Sequence, residues 1–122
     1  MIEAGQIVLL RFPYADARGG KLRPALVLAR LPGPYDDWLV SMISSRLHQA
    51  IRAIDEIVLQ RDADFAATGL KTASVVRVTR LAVVASDRME GALGRLSTAR
   101  MTGICKRLAD WLATSAPSAS DD

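Results

Sequence analysis

Six short apolar runs, each closed within a few residues by glycine, proline or a polar residue, limit what this chain can fold into. They lie at residues 6–12, 25–31, 38–44, 56–59, 74–78 and 81–85, and are rich in Val, Leu and Ile. Runs this short suit strands, and no long helical repeat separates the early ones. The pattern predicts a compact, largely antiparallel sheet or small barrel, not a series of βαβ units. Pro24 has no N–H to give a ladder, so it predicts a strand start or a sheet edge. The DARGG segment at 16–20 predicts a mobile loop joining the first two strands.

The end of the chain has a different period. Ser97 suits an N-cap, and Met101, Ile104, Cys105, Leu108, Trp111 and Leu112 recur at helical spacing. One amphipathic helix packed on the sheet is expected, with Cys105 in the core. Arg100, Lys106, Arg107 and Asp110 would form its solvated face. Residues 114–122 (TSAPSASDD) read as a disordered tail, leaving one domain over 1–113. A chain of 122 residues has material for one core and not two.

Composition narrows the function classes. The net charge is +3, carried by 13 Arg and 3 Lys, and Arg is the side chain suited to gripping phosphate in a fixed geometry. The same balance also fits ordinary solvated faces, so charge alone decides nothing. Cys105 is the single cysteine, which excludes an internal disulfide and gives no zinc-site spacing. No secretory h-region and no apolar stretch near the roughly 20 residues of a membrane helix is present, so a cytoplasmic protein is expected. Glycine-rich phosphate loops, HExxH and GxSxG are absent.

The candidate chemistry lies at strand ends. Asp36/Asp37, Asp55/Glu56 and Asp62/Asp64 are carboxylate pairs of the kind that hold magnesium, but each adjoins a strand boundary, where Asp serves turns; no metal is expected. His48 is the one imidazole and so the first acid–base candidate, although a loop histidine is commonly just solvated. Tyr14 and Asp16, then Lys21 and Arg23, then Ser44, Ser45 and Arg46 combine an aromatic, cations and hydroxyls. A phosphodiester site needs a guanidinium for developing charge, a hydroxyl to orient an oxygen and a basic loop to hold the strand. By spacing alone, the same residues also read as surface charges and strand-end polar groups.

The blocks GQIVLLRFPYAD, KLRPALVLAR, WLVSMISS, GLKTASVVRVTRL and GRLS, in that order from Gly5 to about Leu112, resemble the MazF/PemK family of toxins from bacterial toxin–antitoxin modules. The resemblance implies a mainly β, α+β fold: a small SH3-like antiparallel barrel with a C-terminal helix, paired as a homodimer. It also implies a sequence-specific endoribonuclease that needs no metal or cofactor and cuts single-stranded RNA to 2′,3′-cyclic phosphate and 5′-hydroxyl ends. A cognate antitoxin would hold it inactive. The family's RP-block arginine falls on Arg23. The hydroxyl after its third strand falls on Ser44, where the family usually has threonine. Tyr14, Asp16, Lys21, Arg46 and Arg77 become candidates for RNA contact. A guanidinium stays protonated, so Arg23 suits charge stabilisation, and the general base is left open. A rival from another class is a non-catalytic toxin resembling CcdB, which poisons DNA gyrase by binding protein; an inactive nucleic-acid-binding module of the same fold is a third reading.

Overall fold

Unbroken apolar segments such as IVLL and ALVL require a sheet covered on both faces, because neighbouring strand residues point to opposite sides. The structure, a computed structural model, describes residues 1–11 and 21–117. Its strands are β1 (Gln6–Leu10), β2 (Arg23–Arg30), β3 (Asp37–Ser44), β4 (Glu56–Val58), β5 (Ser74–Ala85) and β6 (Gly91–Arg95). All pair antiparallel in the order β4-β5-β3-β2-β1-β6, a curled sheet that forms a half-barrel. One helical turn, α1 (Phe65–Thr68), precedes β5, and the long helix α2 (Thr98–Ser115) follows β6. The expected α+β architecture is therefore present.

Two cores lie on the two faces. Ile7, Leu26, Ile43 and Val76 pack with Ile104 of α2 on one side. Their neighbours Val8, Val27 and Val40 pack with Trp38 and Val84 on the other.

The expected runs at 74–78 and 81–85 are one strand. β5 pairs Leu81 with Ser41 but Arg77 with Met42, so residues 78–80 bulge out of the ladder against β3. Groups of the bulge are still satisfied: Asp55 Oδ1 accepts the Val78 N–H at 3.0 Å, and buried Ser41 donates its Oγ–H to the Val78 carbonyl at 3.0 Å. Pro24 is a strand start, as expected, but β2 is interior to the sheet, not an edge. No expectation covered β6 or α1.

Helix α2 starts where expected, with Ser97 Oγ accepting the Arg100 N–H at 3.3 Å. Its inward face differs from the expectation. Ile104 is fully buried, and Met101 and Leu108 pack against the core, but Cys105, Trp111 and Leu112 are exposed. Lys106 and Asp110 are exposed as expected, whereas Arg100 and Arg107 are drawn toward the sheet. Arg100 donates to Asp64, Asp62 and Glu56 at 2.8 to 3.0 Å and to the Ile57 carbonyl at 2.9 Å. Arg107 reaches Glu56 and the Ile54 carbonyl. The physical reason is the acidic rim at 56–64, which gives these two guanidiniums partners that water would otherwise supply. Among the described residues no helix is long and apolar enough to cross a membrane.

Candidate functional site

The ladder between β2 and β3 begins at Ala25↔Met42, while β2 continues pairing with β1 through Leu9↔Pro24 and Leu10↔Arg23. Pro24 has no N–H to extend the first ladder, so the two strands part at Arg23 and Pro24 on one side and Ile43 and Ser44 on the other. A cleft of about 430 Å³ opens there. Leu9, Leu22, Ile43, Leu70 and Leu93 give it apolar walls, and Arg23, Ser44, Ser45, Lys71 and Thr72 give it polar groups. No carboxylate is among the described residues that line it.

The wall carrying Lys71 is set by two glycines. Gly69 ends α1 at φ +71, and a Cβ there would lie 2.0 Å from the Leu93 carbonyl oxygen. A Cβ on Gly94 would lie 2.2 Å from the Ala67 carbonyl oxygen. Only glycine at these two positions lets α1 press its backbone against β6. Side chains then pin the residues either side of Lys71. The Leu70 N–H donates to Thr68 Oγ1 at 3.2 Å, and buried Ser74 donates its Oγ–H to the Thr72 carbonyl at 2.9 Å.

Arg23 and Ser44 come together at this cleft. Ser44 Oγ accepts the Arg46 N–H at 3.1 Å, which leaves the hydroxyl proton to donate elsewhere. Arg46 and Lys21 are exposed near it without lining it, and His48 is exposed on the 3₁₀ turn Leu47–Gln49, also outside the lining. Arg77 lies apart, its guanidinium held by Asp55 at 3.2 Å and Gln49 at 3.0 Å. Tyr14 and Asp16, like the 16–20 loop and the last five residues, lie outside the described residues. Sequence reasoning assigned no role to Lys71 or Thr72. The available signal was their place in the GLKTAS block, at the mouth of β5.

The two cations that line the cleft differ from the six arginines that are ion-paired elsewhere among the described residues. Arg11, Arg30, Arg77, Arg95, Arg100 and Arg107 each meet a carboxylate. Arg23 and Lys71 meet none among the described residues. The acidic pairs are engaged elsewhere. Hydrogen bonds from Arg100 hold the Asp64 carboxyl down at about 2, and the Leu59 N–H, with help from Arg100, holds Asp62 below the usual carboxylate range. Asp36 is lowered chiefly by hydrogen bonds from Ser86 and Trp38. Among the described residues no group of three His, Cys, Asp or Glu side chains is placed to hold a metal ion.

A curled antiparallel half-barrel with one C-terminal helix, and a cleft at the parted ends of its strands whose described lining carries cations and no carboxylate, defines a small α+β protein. Residues 3–112 match the family described as PemK-like, MazF-like toxin of type II toxin-antitoxin system, and the chain belongs to that family. Among solved structures it is similar to the Mycobacterium tuberculosis toxin MazF-mt6, at 18% identity and a TM-score of 0.62, over 86% of this chain and 93% of that one. It is also similar to an endoribonuclease in complex with its cognate antitoxin from Mycobacterial species, at 17% identity and a TM-score of 0.64, over 96% of this chain and 100% of that one. At these identities the likeness is one of fold. No curated protein matches the sequence.

Proposed function

We propose that this toxin is a metal-independent endoribonuclease that cuts single-stranded RNA at the Arg23–Ser44 cleft. The observation that carries the reading is that Arg23 and Ser44, from two strands that part at Pro24, line one cleft whose described lining holds no carboxylate. Such a site favours a polyanion, because no described residue lining it carries a negative charge and a cation is there to meet phosphate.

In the reaction, the 2′-oxygen of the substrate attacks the adjacent phosphorus and the bond to the 5′-oxygen breaks. The 2′-hydroxyl loses a proton, the departing 5′-oxygen gains one, and a 2′,3′-cyclic phosphate results. DNA lacks that nucleophile, so it can bind but not react. Arg23 stabilises the extra negative charge of the pentacoordinate state, a role commonly worth about 3 kcal/mol per donor. Ser44, one lone pair of its Oγ taken by the Arg46 N–H, donates its proton to a non-bridging phosphate oxygen. Lys21, Arg46, Tyr14 and Asp16 are the further contacts the reading assigns to RNA; Arg77, committed to Asp55 and Gln49 away from the cleft, is not among them. The reading also includes a second copy of the chain, a cytoplasmic setting where transcripts are met, and a cognate antitoxin whose acidic segment covers the cleft. The neighbour solved with its cognate antitoxin supports an antitoxin partner.

The test is incubation of pure protein with mixed-sequence RNA in EDTA, followed by mapping of the ends. Cyclic-phosphate ends that vanish with Arg23→Ala are expected. Intact RNA alongside inhibited gyrase would overturn the reading in favour of a protein-binding toxin.

A further inference from the structure

The sheet order puts β3 between β2 and β5, so Ser44 at the end of β3 stands between Arg23 at the start of β2 and the segment that leads into β5. That segment carries Lys71, and all three residues line the same cleft. Lys71 is exposed, and among the described residues no carboxylate partners it. Its backbone neighbours are nevertheless fixed, Leu70 by Thr68 and Thr72 by Ser74, on a turn that Gly69 and Gly94 seat against β6. A long cationic side chain rooted in a fixed backbone, with its charge unspent, is arranged to meet an anion from outside.

We propose that Lys71 is a second phosphate-holding residue: it grips the phosphate next to the one that reacts, so that the RNA strand runs from Arg23 across Ser44 to Lys71. This rests on the ribonuclease reading of the cleft. The exposed apolar side chains of the same lining, Leu22 and Leu93, offer surface to the face of a nucleotide. Lys71 touches substrate away from the scissile bond, so its contribution is to binding and positioning and not to the chemical step. A positively charged residue that neutralises one phosphate of a single strand accounts for a slope of ~0.7 in log affinity against log salt.

The experiment has two arms. Binding of an all-deoxy oligonucleotide, which cannot cyclise, is followed by fluorescence anisotropy across a salt series. Cleavage of the matching RNA gives kcat and KM. For Lys71→Ala the salt slope is expected to fall by ~0.7, with KM rising several-fold and kcat nearly unchanged, while Lys71→Arg restores slope and KM. An unchanged slope and KM in Lys71→Ala overturns the proposal. So does a fall in kcat alone, or a slope loss that Lys71→Arg fails to restore, because either marks a structural role. The failures are separable. Wild-type protein that cuts RNA while Lys71→Ala behaves identically removes only Lys71. A slope loss in Lys71→Ala, when the wild type binds but never cuts, keeps the phosphate contact and removes the ribonuclease. A wild type that neither binds nor cuts removes both.

Discussion

Arg77 donates its Nε–H to Asp55 Oδ2 at 3.2 Å, while the other oxygen of the same carboxylate takes the backbone N–H of Val78 at 3.0 Å. The Ile51 N–H also reaches Asp55 Oδ2 at 3.0 Å, so one buried carboxylate ties the 51–55 turn to the bulge of β5. Replacing Asp55 by alanine leaves a largely buried guanidinium with Gln49 as its remaining partner, and leaves the buried Val78 N–H and the part-buried Ile51 N–H without theirs. A stability loss on the order of 3 kcal/mol is expected, read from the urea midpoint. A loss below about 1 kcal/mol would show that the bulge does not depend on this carboxylate.

The acidic rim that docks α2 makes a pH prediction. Asp64 is held down at about 2 by Arg100, and Asp62 is lowered by the Leu59 N–H and then by Arg100. A carboxylate lowered on folding contributes stability that is whole above its unfolded value, near 3.8, and drains away as pH falls through the folded one. Thermal midpoints should therefore drop between about pH 4 and pH 2, and Asp64→Asn should lower the midpoint near neutral pH while flattening that drop. An Asp64→Asn acid limb as steep as wild type would exclude the Arg100 pair as its cause.

Those same guanidiniums mark where the sequence was readable and where it was not. The Ser97 cap and the antiparallel strands follow from local residue types, and they were legible. The inward face of α2 was not, because hydropathy places Arg100 and Arg107 outside, and their partners lie more than 35 residues away in sequence. Cys105 and Leu112 read as core for the same reason. β6 was invisible since GALGR carries two glycines, one of them required by the close approach of α1 and not by any strand preference. In β5 the polar Thr79-Arg80 break read as a strand end and is a bulge. At the site, Arg23 and Ser44 were legible through the RP block and the third strand's end. Lys71 was not, because its place in the cleft comes from sheet order and the α1 turn.

Gly94 offers a test of that turn. A methyl group there meets the Ala67 carbonyl oxygen and the Thr68 carbonyl carbon at 2.2 and 2.6 Å, both backbone atoms that cannot step aside singly. Gly94→Ala is expected to cost about 1–3 kcal/mol and to move α1, and with it Leu70 and Lys71, away from β6. RNA affinity should fall along with stability. Gly33, where nothing lies within 4 Å of an added Cβ, is a control for position, though its φ of +119 carries strain of its own. A Gly94→Ala protein of wild-type stability would show that the α1 and β6 backbones are not in close contact.

Ser44 separates a catalytic hydroxyl from a merely polar strand end. Its Oγ is already oriented by the Arg46 N–H at 3.1 Å, so the absence of the threonine methyl leaves the proton aimed by a hydrogen bond instead of by a stiff rotamer. Ser44→Thr adds a β-branch in a strand, where branching is favoured, and should keep cleavage within a few-fold of wild type. Ser44→Ala removes both the donor to phosphate and the acceptor for Arg46, and kcat should fall on the order of a hundredfold. KM should change much less, since the donor acts on charge that develops in the transition state. The informative comparison is the pair, measured on one RNA at one salt concentration. A Ser44→Ala enzyme that cuts at the normal rate would assign the hydroxyl to the turn at Arg46 and leave Arg23 to act without it.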